Sequence, residues 1–336
     1  MSHLDCLTAG VTLENEVAFL STPASYPDVH TVEAIETHRS WVFLTDQHAW
    51  KLKKPDRGTD FDFSTLEARL QNSLQEVKLN RRLAPGVYLG VVPLTTTASG
   101  QLHLNGDGPV VDWLVKMKRL HRKDSLEARI SSGSVTREAV EQAAKCLALF
   151  YTHARPIPLS AQLYRQRLSG AIADNLEELT RLAAAPLQPD LRNVIRRQRQ
   201  FLEQEGGLLD SRLAAHRIVD GHGDLRPDHI WISDPPVIID CLEFNERLRT
   251  IDSVSELMFL MLECDRLNAG WVGEIFFQEY SSICRDRPPQ SLLDFYRSLH
   301  ACTRAKLALW HLVDHRGEPE HWQAKAARYL ELAAAK

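Results

Sequence analysis

Apolar and polar residues alternate in short runs over the first third of the chain, and from about residue 120 onward they recur with a helical period. Ser40 to Thr45 and His48 to Lys53 are β-prone runs around Asp46-Gln47, the pattern of a hairpin. Ser64-Thr-Leu-Glu67 is a capping-box pattern. It predicts a helix to about Leu83, with Leu66, Leu70, Leu74 and Val77 as its apolar stripe and Ala84-Pro85-Gly86 as its stop. Tyr88 to Leu94 and Val110 to Met117, on either side of the turn-rich Asn105-Gly-Asp-Gly108, read as further antiparallel strands. Past Arg119 the pattern changes. Ala139, Ala143, Cys146, Leu147 and Phe150 mark one amphipathic helix, and similar periods cover about 160–182, 188–205 and 291–313. Ala183 to Pro189 reads as a flexible break. Two short apolar runs, His229 to Ile232 and Val237 to Ile239, interrupt the helices. Strands first and helices afterwards predict an α+β protein, with a sheet lobe over 1–118 and a helical lobe over 119–336 joined near Met117 to Leu120.

The 336 residues are 44% hydrophobic and 25% charged, which excludes disordered, collagen-like and coiled-coil classes. Forty Lys and Arg against 44 Asp and Glu give a net charge of -4, without the basic excess of a general nucleic-acid or membrane-surface binder. Met1 to Ala9 carries Asp5 and no apolar stretch of signal-peptide length, and no run is long enough to span a bilayer. The six cysteines are scattered with no C-x-x-C pair, so reduced thiols and a cytoplasmic location are expected. Nothing in the sequence speaks to oligomeric state.

Gly221-His222-Gly223-Asp224-Leu225-Arg226-Pro227-Asp228-His229 places a His-x-Asp on a loop before a strand, and a second strand ends in Asp240. Two carboxylates at neighbouring strand ends suit phosphoryl transfer. One accepts a hydroxyl proton while the other holds a divalent cation over phosphate oxygens, because that reaction is catalysed mostly by positioning and charge neutralisation. Asp224 and Asp240 capping two turns is the competing reading. Lys51 and Lys53 share one face of their strand, opposite Trp50 and Leu52. Glu76 lies 23 residues beyond Lys53 and has no basic residue at three or four positions on either side. It is either solvated or a long-range partner that holds Lys53 against phosphates.

Together these segments resemble the aminoglycoside phosphotransferase and choline kinase branch of the protein-kinase-like fold. His222-Gly-Asp-Leu-Arg-Pro-Asp-His229 is similar to the catalytic loop, Glu76-Val-Lys-Leu-Asn-Arg-Arg-Leu83 to the Glu-bearing helix, Ile238-Ile-Asp240 to the metal-binding Asp, and Arg249-Thr-Ile-Asp252 to the Asp that anchors the catalytic loop. Glu36-Thr-His-Arg-Ser-Trp-Val-Phe-Leu44, Asp62-Phe-Ser-Thr-Leu-Glu67 and Leu79-Asn-Arg-Arg-Leu-Ala-Pro85 resemble, more closely, the phosphotransferase module of bacterial bifunctional aminoglycoside phosphotransferase/ATP-binding proteins. The resemblance spans roughly residues 30 to 270. Larger members of that group carry a C-terminal Walker-type module, and no G-x-x-x-x-G-K-[ST] or G-x-G-x-x-G occurs here.

The resemblance implies a two-lobed kinase-like fold and an ATP-dependent phosphotransferase acting on a hydroxyl of a small-molecule acceptor. It implies Asp224 as the hydroxyl-orienting base in the loop that His222 opens, and Asp240 as the principal ligand of Mg²⁺, with Mn²⁺ as a second candidate. Lys53 would meet the phosphates, with Lys51 as the fallback and Glu76 as ion-pair partner. Ser40 would approach the phosphates, and Val115 to Lys118, including Met117, would form the hinge that meets the adenine. His229 stands where the family places its second metal-binding Asn. An imidazole suits softer ions than Mg²⁺, so the site would use one metal on Asp240, recruit Asp228, or bind nucleotide without transfer. Alternatives are a nucleotide-sensing pseudokinase, which His229 favours, and a metal-dependent phosphohydrolase built on His222, Asp224, His229 and Asp240. The acidic stretch from Asp240 through Glu243, Glu246, Asp252, Glu256, Glu263 and Asp265 suggests a cationic acceptor, or else a solvated face.

Overall fold

The computed structural model describes residues 10–58, 61–182, 188–313 and 318–335. In chain order the first elements are α1 (Leu13–Leu20), β1 (Glu33–Glu36), β2 (Ser40–Leu44), β3 (His48–Lys53), α2 (Leu66–Asn80), β4 (Tyr88–Thr96), β5 (Leu102–Leu104) and β6 (Val110–Lys118). Then follow α3 (Leu126–Ser131), α4 (Arg137–His153), α5 (Ala161–Leu182), α6 (Gln188–Gln204), α7 (Gly206–Ala214), β7 (Ile218–Asp220), β8 (Ile230–Trp231) and β9 (Val237–Ile238). The last are α8 (Glu246–Arg249), β10 (Thr250–Asp252), α9 (Ser253–Arg266), α10 (Gly270–Ile283), α11 (Gln290–Val313) and α12 (Pro319–Ala334). The N-terminal nine residues and positions 183–187 of the expected break lie outside the described residues, and helix α6 already starts at Gln188. The chain divides into two compact units, Met1–Asp124 with Ser233–Arg247, and Ser125–Ile232 with Leu248–Lys336. The segment that carries Asp240 therefore belongs with the sheet.

The first unit is built on a six-stranded antiparallel sheet in the order β1-β2-β3-β6-β4-β5. Strand alternation sorts β3 as expected. Trp50 and Leu52 join Leu20, Tyr26, Phe43, Leu94 and Leu114 in an apolar cluster that Leu13 and Val17 of α1 flank. Lys51 and Lys53 point to the opposite face, where both reach Glu76 of α2. Helix α2 departs from the expected pattern at both ends. Its N-cap is Thr65, whose hydroxyl accepts from the Ala68 amide, because Ser64 is held by Asp62 instead. It ends at Asn80, where Arg82 and Leu83 tighten into i→i+3 turns ahead of Pro85.

The buried face of α2 also differs. Leu74 is 46% exposed, whereas Arg69, Ser73, Glu76 and Asn80 are buried. These polar residues follow the spacing i, i+4, i+7, i+11 and so form one stripe. Most of that stripe meets a specific polar partner in the sheet unit: Arg69 Nε donates to Asp112 at 2.8 Å, and Asn80 Oδ1 accepts from the Cys241 amide at 2.8 Å. Val77, from the expected apolar stripe, and Leu79 are buried beside these polar residues, so charge pairing and apolar burial together set the rotation of this helix.

The second unit is helical. The expected periods correspond to α4, α5, α6 and α11. Helix α9 escapes a periodicity reading because nearly every position from Ser253 to Cys264 is buried, leaving no polar face to mark a period. Its N-cap, Asp252, accepts from the Val254 amide, pairs with Arg212 Nε and Nη2 at 2.9 and 2.8 Å, and accepts from Tyr296. This ties α7, α9 and α11 together. The pairing of β10 with β7 sets Asp252 opposite Ile218 and leads the chain from Asp220 into the loop at 221–229.

One buried acid in the sheet unit is held against its own ionisation. Glu16 is 6% exposed, and burial, with Asp112 adding and Arg69 opposing, pushes its carboxyl up to about 8 from 4.5. The unfolded chain therefore loses a proton between those values that the folded chain keeps, so stability falls as pH rises through that window. Glu16→Gln is expected to raise the melting temperature near neutral pH and above, with the gain shrinking towards about pH 5. A gain that is the same at both ends of that range would show that Glu16 is not held protonated.

Candidate active site

Ser40, Lys51, Lys53, Glu76, Val115, Met117 and Asp240, the residues expected to serve the nucleotide and its metal, all lie in the first unit. Glu76 is 1% exposed at its side chain and accepts from both strand lysines: Lys51 Nζ at 2.8 Å on Oε1 and Lys53 Nζ at 2.5 Å on Oε2. Burial would push this carboxyl up, but the two ammonium groups hold it below the usual range. The lysines then diverge. Lys51, 17% exposed, lies 3.3 Å from Asp240 Oδ1, and Asp240 is 47% exposed. Lys53 is 1% exposed and reaches Glu243 Oε1 at 2.7 Å. Lys51, and not the preferred Lys53, is thus the ammonium beside the candidate metal-binding carboxylate. Burial lowers the proton affinity of Lys51, yet Glu76, Asp240 and Glu243 more than reverse that and keep it charged.

Several contacts hold the segment around Asp240. The Ile238 amide donates to the Leu83 carbonyl at 3.2 Å, the Asp240 amide to Tyr88 Oη at 3.2 Å, the Cys241 amide to Asn80, and Glu243 takes Lys53. Asp240 itself has φ of 63°, in the left-handed region that a non-glycine residue enters at a cost. Two other expectations change. Val115 and Met117 sit inside β6, a strand paired with β3 on one side and β4 on the other, so their backbone groups are engaged by the sheet and are not a nucleotide hinge. Ser40 is 3% exposed at the β1–β2 turn, where its amide donates to Thr37 Oγ1; that position gives it no open path to a phosphate.

The loop at 221–229 lies in the helical unit. Its anchor is Glu256, fully buried in α9, whose Oε1 accepts from the His222 amide at 2.9 Å and the Gly223 amide at 2.5 Å, while Tyr151 donates to Oε2 at 2.6 Å. Asp252, the expected anchor, serves Arg212 and Tyr296 instead. A Cβ on Gly221 would lie 2.7 Å from Ile251 and 2.8 Å from Glu256, so only glycine lets the loop approach its anchor. His222 is fully buried and its Nδ1 accepts from the Asp224 amide at 3.3 Å. It shapes the loop from below and does not face an acceptor.

Asp224 is 31% exposed at its side chain, with Arg226 Nε 3.2 Å from Oδ2. Arg226 Nη2 also lies 3.2 Å from Asp228 and donates to His229 Nε2 at 2.7 Å. His229 Nδ1 in turn donates to the Asp224 carbonyl at 2.8 Å. Both ring nitrogens of His229 are thus engaged, and it stands as a hydrogen-bonded brace beneath Asp224, not as a metal ligand. Asp228 is similarly paired. Among the described residues no group of three or more His, Cys, Asp or Glu side chains is arranged to hold a metal ion.

The acidic stretch does not form a cation receptor. Glu243, Asp252, Glu256 and Glu263 are buried or nearly so against Lys53, Arg212, backbone amides and Arg304 respectively, and Asp265 pairs with Arg297 at 2.6 Å. Glu243 and Glu256 escaped the motif reading. Their only local signal is their placement, three and four residues after Asp240 and Asp252.

No family model matches the chain. Uncharacterised proteins of Mycobacterium tuberculosis and Mycobacterium bovis are 33% identical to it over 309 residues, 90% of this chain and 59% of theirs. The chain thus spans about three fifths of the length of those relatives. Among solved structures, a thermostable mutant of the aminoglycoside phosphotransferase APH(4)-Ia aligns with 95% of this chain and 98% of its own, with a TM-score of 0.55 and 11% identity. A choline/ethanolamine kinase family protein from Mesorhizobium loti aligns over 96% and 99%, with a TM-score of 0.52 and 14% identity. The chain has the aminoglycoside phosphotransferase/choline kinase fold. That protein-kinase-like fold is the α+β, two-lobed architecture expected from the order of strands and helices.

Within this kinase-like fold the two strand lysines should separate experimentally. Lys53→Met removes the ammonium that meets Glu243 at 2.7 Å and leaves Glu76 with one lysine instead of two, so a loss of roughly 3–5 kcal/mol is expected by urea unfolding. Lys51→Met, at a more exposed position, should cost clearly less. Equal losses would contradict the division drawn between them.

Proposed function

We propose that the protein is an ATP-dependent phosphotransferase that moves a phosphoryl group to a hydroxyl of a small molecule. The observation that carries this reading is Lys51, held by Glu76 at 2.8 Å and set 3.3 Å from the half-exposed Asp240. A fixed ammonium beside an accessible carboxylate suits a nucleotide with its cation: the ammonium takes phosphate oxygens and the carboxylate takes the metal. The donor set fits Mg²⁺, which prefers oxygen and is commonly held by one or two carboxylates with phosphates and water completing its shell. Asp240 would be the protein ligand, and the ion would neutralise charge on the phosphates. Mn²⁺ accepts the same oxygens. Lys53 and Glu243 then act behind the site by holding β3, α2 and the Asp240 segment in register.

Asp224 is the group that orients the acceptor hydroxyl and takes its proton. Support comes from the loop beneath it: Glu256, His222 and His229 fix the backbone on both sides of Asp224, and Arg226 holds its carboxylate. A carboxylate on so braced a loop serves positioning, which is most of what phosphoryl transfer asks of a protein. The fold supplies a second line of support, since APH(4)-Ia has been crystallised as a ternary complex with AMP-PNP and hygromycin B, and that structure aligns with this chain at a TM-score of 0.51.

Thermal unfolding with ATP tests the reading. Saturation at about 100 times Kd should stabilise the protein by about 2.7 kcal/mol, and only with Mg²⁺ or Mn²⁺ present. Asp240→Ala and Lys51→Met should remove that shift. Asp224→Asn should keep it while abolishing ATP consumption, whether to an acceptor or to water. ATP stabilisation without metal, with no consumption, would turn the reading towards a nucleotide-binding pseudokinase, and no stabilisation at all would overturn both.

A further inference from the structure

On the face of the sheet opposite Lys51 and Lys53, basic side chains gather where β3 begins and β6 ends. The register sets His48 opposite Lys118 and Trp50 opposite Lys116, so these four side chains share that face. Lys116 Nζ lies 4.9 Å from the centroid of the Trp50 ring, and the His48 ring lies 6.2 Å from it. A cavity of about 460 Å³ opens here, and its lining includes His48, Lys118, Arg119 and His121 together with Asp46 and Leu89.

Two of these groups lack a partner among the described residues. Lys118 is exposed, and its ammonium meets no carboxylate or other acceptor; half-buried His48 has no hydrogen bond to either ring nitrogen. Burial, with Lys116 nearby, holds the His48 imidazole below its usual proton affinity. Arg119 is fixed in place: its amide donates to the Gln47 carbonyl at 2.8 Å and its Nη1 to the Thr45 carbonyl at 2.7 Å. Its ion pair is loose, with Nη2 3.9 Å from the exposed Glu33. Asp46 is the one acid in the lining, and it is turned elsewhere. Its two oxygens accept from the His30 amide at 2.9 Å and the Thr31 hydroxyl at 2.8 Å, and it makes no ion pair with Lys118. The cavity therefore presents cations that no carboxylate inside it offsets, and an oxyanion entering it would relieve their repulsion and take charge-assisted hydrogen bonds.

We propose that this cavity binds a phosphate-class oxyanion, free or carried by a small phosphorylated molecule, with Lys118 and Arg119 as its cations and His48 and His121 as hydrogen-bond donors. The site lies on the opposite face of β3 from the residues proposed for ATP and does not rest on the phosphotransferase reading. An anion held there bridges the first residue of β3 to the last of β6, and so braces the strand on which Lys51 rides.

Isothermal titration calorimetry on the full chain tests it, at constant ionic strength and without nucleotide or divalent metal. The probes are inorganic phosphate, glucose 6-phosphate, glucose and chloride. Phosphate and glucose 6-phosphate should bind, and glucose and chloride should not. Tighter binding of glucose 6-phosphate assigns the site to a phosphorylated small molecule, and tighter binding of phosphate assigns it to the free anion. Lys118→Gln should weaken binding about tenfold, while Lys118→Arg should stay within about threefold of the parent. Retention by the arginine variant excludes a folding defect as the cause. Lys51→Met should leave the affinity unchanged, which separates this cavity from the proposed nucleotide phosphates. The proposal is overturned if neither phosphate probe binds, if chloride matches them, if Lys118→Gln has no effect, or if Lys51→Met abolishes binding. Since no ATP is present, anion binding that depends on Lys118 stands even where ATP fails to stabilise the protein and the phosphotransferase reading falls.

Discussion

A carboxylate that is 1% exposed must find its countercharge inside the protein, and Glu76 finds two. Much of the first unit follows from that constraint. The two lysines can meet one carboxylate only if they share a face of β3, which strand alternation supplies, and only if α2 turns Glu76 towards the sheet. The helix accordingly buries its polar stripe and leaves Leu74 in solvent. Desolvating three charges is costly, and removing any one strands the others. The pairing therefore serves less as a source of stability than as a device for register. It places Lys51 beside Asp240 and, through Lys53 and Glu243, pins the segment on which Asp240 rides.

The helical unit uses the same device on a backbone. Glu256 presents a buried carboxylate to two consecutive loop amides, a charge-assisted arrangement about twice as strong as neutral hydrogen bonds. From below, His222 and His229 complete the support, each through a ring nitrogen turned to the backbone of Asp224. The histidine at 229 thus makes sense without a metal. With Nδ1 donating to a carbonyl and Nε2 accepting from Arg226, it is a neutral brace whose two nitrogens do different work.

Net charge along a stretch of sequence is a poor guide to the charge a ligand meets. The seven acids from Asp240 to Asp265 look like a cation receptor on the page, yet four of them pair with cations drawn from elsewhere in the chain, Lys53, Arg212, Arg297 and Arg304. Around Asp224 the half-exposed groups carry both signs, with Arg226 set between Asp224 and Asp228.

Strand alternation, helical periods and the order of short motifs were legible from the sequence, because each depends on residues close together in the chain. They located β2, β3, α4, α5, α6 and α11, put Lys51 and Lys53 on one face, and pointed to the kinase-like fold that the solved structures share. Local pattern could not reveal α9, which is buried all round and so has no period to read. Nor could it tell which of Lys51 and Lys53 lies beside Asp240, or that Glu256 and not Asp252 meets the loop amides, since two residues or one helical turn leave the same local signal. Those choices were made by tertiary structure alone. A buried charge takes whichever partner the packing brings within about 3 Å, and that partner is commonly a hundred or more residues away.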